Sequence, residues 1–158
     1  MKVVSDTSPI GYLLLIEQVN LLPALYKRIH IPLAVRDELG AKPGFHNWVA
    51  NPPEWLEIHA APTVPDSGLD HLDPGEREAI ALAERMSADL VLLDEKRARQ
   101  VARERGLTRT GLLGVLDRAA RAGLVQLEDA LERLGRTNFR VEPRLIEALR
   151  DRHLGGKP

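Results

Sequence analysis

Residues 73–106 spell a helix, a strand and a second helix in direct succession: "DPGEREAIALAERMSADLVLLDEKRARQVARERG". The middle piece runs Leu90-Val91-Leu92-Leu93 without a polar break, so a strand built from it has no face for water. Such a strand is stable with helices packed on both sides, which is the parallel α/β arrangement. The first helix is clearly punctuated. Asp73 supplies an N-cap, Pro74 takes the first helical position, and Glu76 stands where a capping-box partner belongs. Ala79, Ile80, Leu82, Ala83 and Met86 then form an apolar stripe at helical spacing. The second helix is strongly basic and is closed by Gly106.

The rest of the chain repeats this alternation. Val3-Val4 reads as a short buried strand, and Ser8-Pro9 as the start of a helix over about residues 9–18. A short helix follows Asn20, "HIP" at residues 30–32 is a brief strand, and "LAVRDELG" is a helix ending at Gly40. Residues 41–53 are irregular apart from a helical turn around Trp48, and "WLEIHA" is a strand. Pro, Gly and Asp make "APTVPDSGLDHLDPGE" a loop up to the capping box. Beyond Gly106, "LTRT" is a short connection to three amphipathic helices: "GLLGVLDRAARAG", "LVQLEDALERLGR" and "EPRLIEALRDRH". The expected fold is a three-layer α/β/α domain with a central parallel sheet.

Composition narrows the function. The 158 residues suffice for one domain with a normal core. A net charge of −1 makes the molecule no polycation, so any nucleic-acid contact needs a local basic face. With no cysteine there are no disulfides, zinc–thiolate sites or thiol nucleophiles. No basic leader precedes an apolar run and no stretch suits a membrane span, so a cytoplasmic location away from membranes is expected.

In open parallel sheets, sites form beyond the carboxyl ends of the strands. Asp6 and Asp94 both follow an apolar strand and precede a helix. Each acid has an ordinary reading: Asp6 as a turn residue, Asp94 as a helix cap, Glu76 as a capping-box member, Glu38 as a solvated helix residue. Together, strand-end aspartates and helix-borne glutamates form an all-oxygen donor set. That set suits Mg²⁺ or Mn²⁺ rather than zinc, and clustered carboxylates need a cation to remain ionised. The five histidines (His30, His46, His59, His71 and His153) show no ligand spacing and read as structural or surface residues. No GxSxG elbow, phosphate-binding glycine loop or DxD motif is present.

Three blocks, "VVSDTSPI", "IPLAVRDELG" and "LDPGEREAIALAERMSADLVLLDEKRAR", resemble the PIN-domain superfamily, and "TGLLGVLDRA" fits as well. The similarity is strongest to the small prokaryotic branch related to VapC-type toxin ribonucleases. It implies a single PIN-like nuclease domain over 1–158, with a core over about 2–125 and C-terminal helices over about 126–153. The family's first acidic position falls on Asp6, with Ser8 as a supporting hydroxyl. Its V-x-x-E-L glutamate falls on Glu38 rather than Asp37. The third position lies 18 residues before Asp94, on Glu76, where the family more often has Asp; Glu78 is an outside candidate. The fourth falls on Asp94, and Thr110 best matches a further hydroxyl position.

The resemblance implies an endoribonuclease in which Asp6, Glu76 and Asp94 hold one or two Mg²⁺ or Mn²⁺ ions, with Glu38 completing the catalytic set. Lys96, Arg99 and Arg103 recur at i, i+3 and i+7 on the basic helix, as contacts to RNA phosphates or as an ordinary solvated charged face. A cognate antitoxin protein and a homodimer are the partners it implies. The competing class is a non-catalytic PIN-fold module that binds RNA or protein. A flavodoxin-like phospho-acceptor domain fits less well, because paired acids near residue 6 and a lysine after a late strand are lacking.

Overall fold

A computed structural model describes residues 1–60 and 65–155. Strand β1 (Val3–Ser5) is buried throughout, as a central strand must be. It is followed by α1 (Thr7–Leu15), α2 (Leu21–Tyr26), β2 (Ile29–Pro32), α3 (Leu33–Gly40), α4 (His46–Ala50) and β3 (Leu56–His59). A 3-10 turn (Ser67–Leu69) leads to α5 (Pro74–Met86), β4 (Leu90–Leu92), α6 (Lys96–Glu104) and β5 (Arg109–Thr110). Helices α7 (Leu112–Arg121), α8 (Leu127–Gly135) and α9 (Pro143–Gly155) complete the described chain.

The five strands run parallel in the order β3-β2-β1-β4-β5. Successive residues point to opposite faces and so divide between two cores. Val3, Ile29, Ile31, Leu90 and Leu92 pack with Ile10 and Leu13 of α1 and with Val115 and Leu116 of α7. Val4, Val91 and Leu93 pack with Ala79, Ile80 and Ala83 of α5 and with Ala98 and Val101 of α6. This is the three-layer α/β/α arrangement that the alternation demands. Leu127, Leu131, Leu134 and Leu149 join the first core, so the C-terminal helices extend it.

The chain leaves β1 toward β2 and β3, then crosses back to place β4 on the other side of β1. A crevice therefore opens where the two connections diverge, at the carboxyl ends of β1 and β4. The register pairs Ser5 with Leu92, and the Asp6 amide donates to the Leu92 carbonyl at 3.0 Å. The acids that follow each strand emerge at this crevice.

Local details depart from expectation. Helix α1 begins at Thr7, placing Pro9 within the first turn, where its missing N–H leaves nothing unbonded. It ends at Leu15, before Gln18: Glu17 adopts φ 60°, and the Gln18 amide folds back onto the Leu13 carbonyl. "LTRT" holds a strand, β5, recruited by bonds from Val91 to Thr108 and from Leu93 to Thr110. Its two paired residues are too few and too polar for a periodic signal. Residues 61–64 of the expected loop and 156–158 of the tail lie outside the described residues. No helix among the described residues is long and apolar enough to cross a membrane.

The histidines are also less scattered than the sequence implies. β2 pairs with β3 so that His30 and His59 meet, with Nδ1 and Nε2 2.9 Å apart.

Candidate active site

Asp6 occupies the N-cap position of α1 without making a side-chain cap bond. The residue is only 4% exposed, and among the described residues its Oδ1 is buried with no hydrogen-bond partner. Burial, reinforced by the nearby charges of Asp73, Glu76 and Glu38, pushes its carboxyl up to about 8, against the pull of a backbone bond from Thr7.

Glu38 lies in the last turn of α3 and is held from two sides. The Thr7 hydroxyl donates to Oε1, and the Gly75 amide donates to Oε2 at 2.8 Å. Gly75 leaves room for this contact, since a β-carbon there would fall on the Glu38 carboxylate. The unpaired amides at the start of α5 thus attract a carboxylate from another element, as a helix N-terminus does.

The same turn carries two further acids. The Asp73 amide donates to Glu76 at 3.2 Å and the Glu76 amide to Asp73 at 2.9 Å, forming the capping box. Glu76 is buried nonetheless. Burial first, then the charges of Asp73, Glu95 and Glu38, raise its carboxyl to about 7, opposed by the Asp73 backbone bond.

Asp94 does not cap the helix that follows it; Glu95 stands at the N-cap of α6. Instead, Asp94 Oδ1 accepts from the Leu112 amide at 2.7 Å and anchors the start of α7. Its Oδ2 is buried without a partner among the described residues. Burial raises its pKa, offset by the Leu112 bond and the charge of Arg99.

These side chains line one cleft of about 950 Å³. Asp6, Glu38, Asp73, Glu76, Asp94, Glu95 and Glu142 supply its acids; Lys42, Lys96, Arg99 and Arg140 supply its cations. Asp6, Glu38 and Asp73 can each offer one oxygen so that all three lie within 4.8 Å of one another. A buried carboxylate oxygen without a donor is costly, and the cleft has two such oxygens, on Asp6 and Asp94. Each is the kind of group that a hard cation satisfies, and Asp6 already stands with Glu38 and Asp73 at ligand distance, so the donor set fits a metal.

The four acids expected from the sequence therefore meet in one cleft, and Ser8, Lys96 and Arg99 line it too. Glu78 is not among its lining residues, and Asp37 is exposed and paired with Arg36. Arg103 and Thr110 line a neighbouring depression that shares Arg99, and the Thr110 hydroxyl lies against Gly114 of α7. Sequence reasoning missed Asp73, Glu95 and Thr7. A signal for Asp73 existed: a helix leading into a parallel strand starts at the sheet's carboxyl edge, so acids in its first turn lie near the site.

The fold and cleft define a parallel α/β domain with clustered carboxylates at its switch point. The chain belongs to the PIN-domain family: the family model for the PIN domain (DUF3368) matches residues 2–153. No curated protein and no solved structure matches the chain.

Proposed function

We propose that this PIN domain is a metal-dependent endoribonuclease acting as the toxin of a type II toxin–antitoxin pair. The observation that carries the reading is the pair of orphaned oxygens on Asp6 and Asp94, buried in a cleft that also presents Lys96 and Arg99. Asp6, Glu76 and Asp94 would hold Mg²⁺ or Mn²⁺, with Asp73 beside them. When bound, the metal supplies an acidified water and neutralises charge on the phosphate.

The chain's own residues do the rest. Thr7 and Gly75 fix the Glu38 carboxylate, which orients the attacking water. Lys96 and Arg99 hold the RNA backbone beside the acids, and Arg103 extends the track along α6. Phosphate contacts of this kind position the strand without reading its bases. The partners in this reading are a protein antitoxin that covers the cleft and a second copy of the chain.

The test is cleavage of a labelled single-stranded RNA with Mg²⁺, Mn²⁺ or excess EDTA, using wild-type, Asp6→Asn and Asp94→Asn proteins. Cleavage should require metal and fall to background in both variants. Cleavage in chelator, or by Asp94→Asn at the wild-type rate, refutes the mechanism. RNA that is bound in Mn²⁺ but left uncut would make the protein a binding module.

A further inference from the structure

The edge of the sheet far from β4 holds a second cluster with different chemistry. His30 and Glu57 are register partners on β2 and β3, and His59 lies two residues beyond Glu57. Side chains alternate along a strand, so these three share one face of the sheet. On the other flank His30 is the register partner of Val4, which packs beneath α5. The cluster therefore occupies the outer part of the face that α5 covers farther in. His30 and His59 are largely sheltered, 11% and 24% exposed, while Glu57 is 46% exposed.

Three side chains converge here, and one donor atom from each lies within 4.8 Å of the other two. His30 Nδ1 lies 2.9 Å from His59 Nε2. Glu57 Oε2 is 3.6 Å from His30 Nδ1, and its Oε1 is 3.8 Å from His59 Nε2. Ligands of a tetrahedral zinc, bound at about 2.0–2.1 Å, stand about 3.3 Å from one another. The His30–His59 separation falls just below that value, and the two from Glu57, one to each carboxylate oxygen, fall just above it. An imidazole–imidazole hydrogen bond would account for the two histidines alone but not for the carboxylate facing both. Arg28, 3.9 Å from Glu57 and half-exposed, is the competing partner, and an exposed pair of that kind is weak.

We propose that His30, Glu57 and His59 form a binding site for a borderline divalent cation, Zn²⁺ being the best fit, with a fourth position open to solvent. Two imidazoles and a carboxylate select zinc, cobalt or nickel over magnesium, so this site and the all-oxygen cleft take different ions. The bound ion clamps the outermost strand β3 to β2. β2 runs directly into α3, which carries Glu38. The inference does not rest on the ribonuclease reading.

The experiment is a Co²⁺ titration of the full chain carrying Asp6→Asn and Asp94→Asn, which remove the cleft's two unpartnered carboxylate oxygens, followed by visible absorption. One equivalent should bind with the intense d–d bands of four-coordinate cobalt, be displaced by Zn²⁺, and resist Mg²⁺. Adding His59→Gln or Glu57→Gln should weaken binding at least about tenfold. Equal affinity and spectrum in His59→Gln overturns the site, as does the absence of a four-coordinate spectrum in the parent. Should a ligand variant fail to fold, ¹⁵N imidazole shifts of the wild-type chain decide. Zn²⁺ should move the His30 and His59 signals and leave His46, His71 and His153 in place; a spectrum in which His30 and His59 do not move refutes the proposal.

Discussion

Replacing Asp6 by asparagine should make the metal-free protein more stable at neutral to mildly alkaline pH, because folding obliges this carboxyl either to take up a proton or to stay charged where charge is least favoured. Its carboxyl is raised from 3.8 to about 8, chiefly by burial. Each tenfold change in proton affinity is about 1.4 kcal/mol, so ionisation at pH 8 opposes folding by several kcal/mol. Asn does not recover all of that, since its buried oxygen still lacks a donor. A gain of about 2 kcal/mol is the expected net, in line with other substitutions that relieve strained sites. In a domain of this size that is about 4–8 °C in melting temperature.

The folded protein binds the Asp6 proton more tightly than the unfolded chain, so wild-type stability falls as pH rises from about 4 to about 8. Below about pH 4 the residue is protonated in both states. Variant and wild type should melt nearly together there and separate progressively toward pH 8. Melting curves in EDTA across this range are the assay. Mg²⁺ added at pH 8 should then raise the wild type, by about 2.7 kcal/mol at a hundred times its dissociation constant, and raise Asp6→Asn far less. A variant that melts no higher than wild type at every pH, with both responding equally to Mg²⁺, would show that the carboxylates do not share a site.

Gly75→Ala should displace the Glu38 carboxylate from the start of α5, destabilising the protein by about 1–3 kcal/mol and lowering metal-dependent cleavage; unchanged melting and activity would mean that Glu38 is free to move. Lys96→Glu combined with Arg99→Glu should weaken RNA binding and reduce the slope of log affinity against log salt by about 2, roughly one for each phosphate that the helix no longer neutralises. An unaltered slope in a filter-binding series would make α6 an ordinary solvated helix.

The candidate site is legible where local chemistry writes it. Asp6 and Asp94 can be placed at strand ends because apolar runs and helix starts bound those strands on either side. Glu76 is readable both as a capping-box residue and as a site residue, and it is both at once. Asp73 reads in the sequence as a cap alone, although its side chain also faces Asp6 and Glu38. Ser8 is the supporting hydroxyl that the sequence suggests, whereas Thr7 makes the bond to Glu38. A small shift in the helix start changes the answer, because α1 begins at Thr7 and not at Pro9.

The alternation of strands and helices, the two-faced burial of the sheet and the acids that end its strands are all written locally in the chain. They follow from periodicity, capping and punctuation, which act over a few residues. That β4 lies beside β1, turning Asp6 and Asp94 into neighbours, emerges only in the packed fold. So do the contact of the Gly75 amide with Glu38, the existence of β5, and the meeting of His30 with His59 across β2 and β3. The reason is that strand order and register come from pairings between distant segments, whose free energy depends on how whole faces bury together. No short stretch of residues encodes that sum.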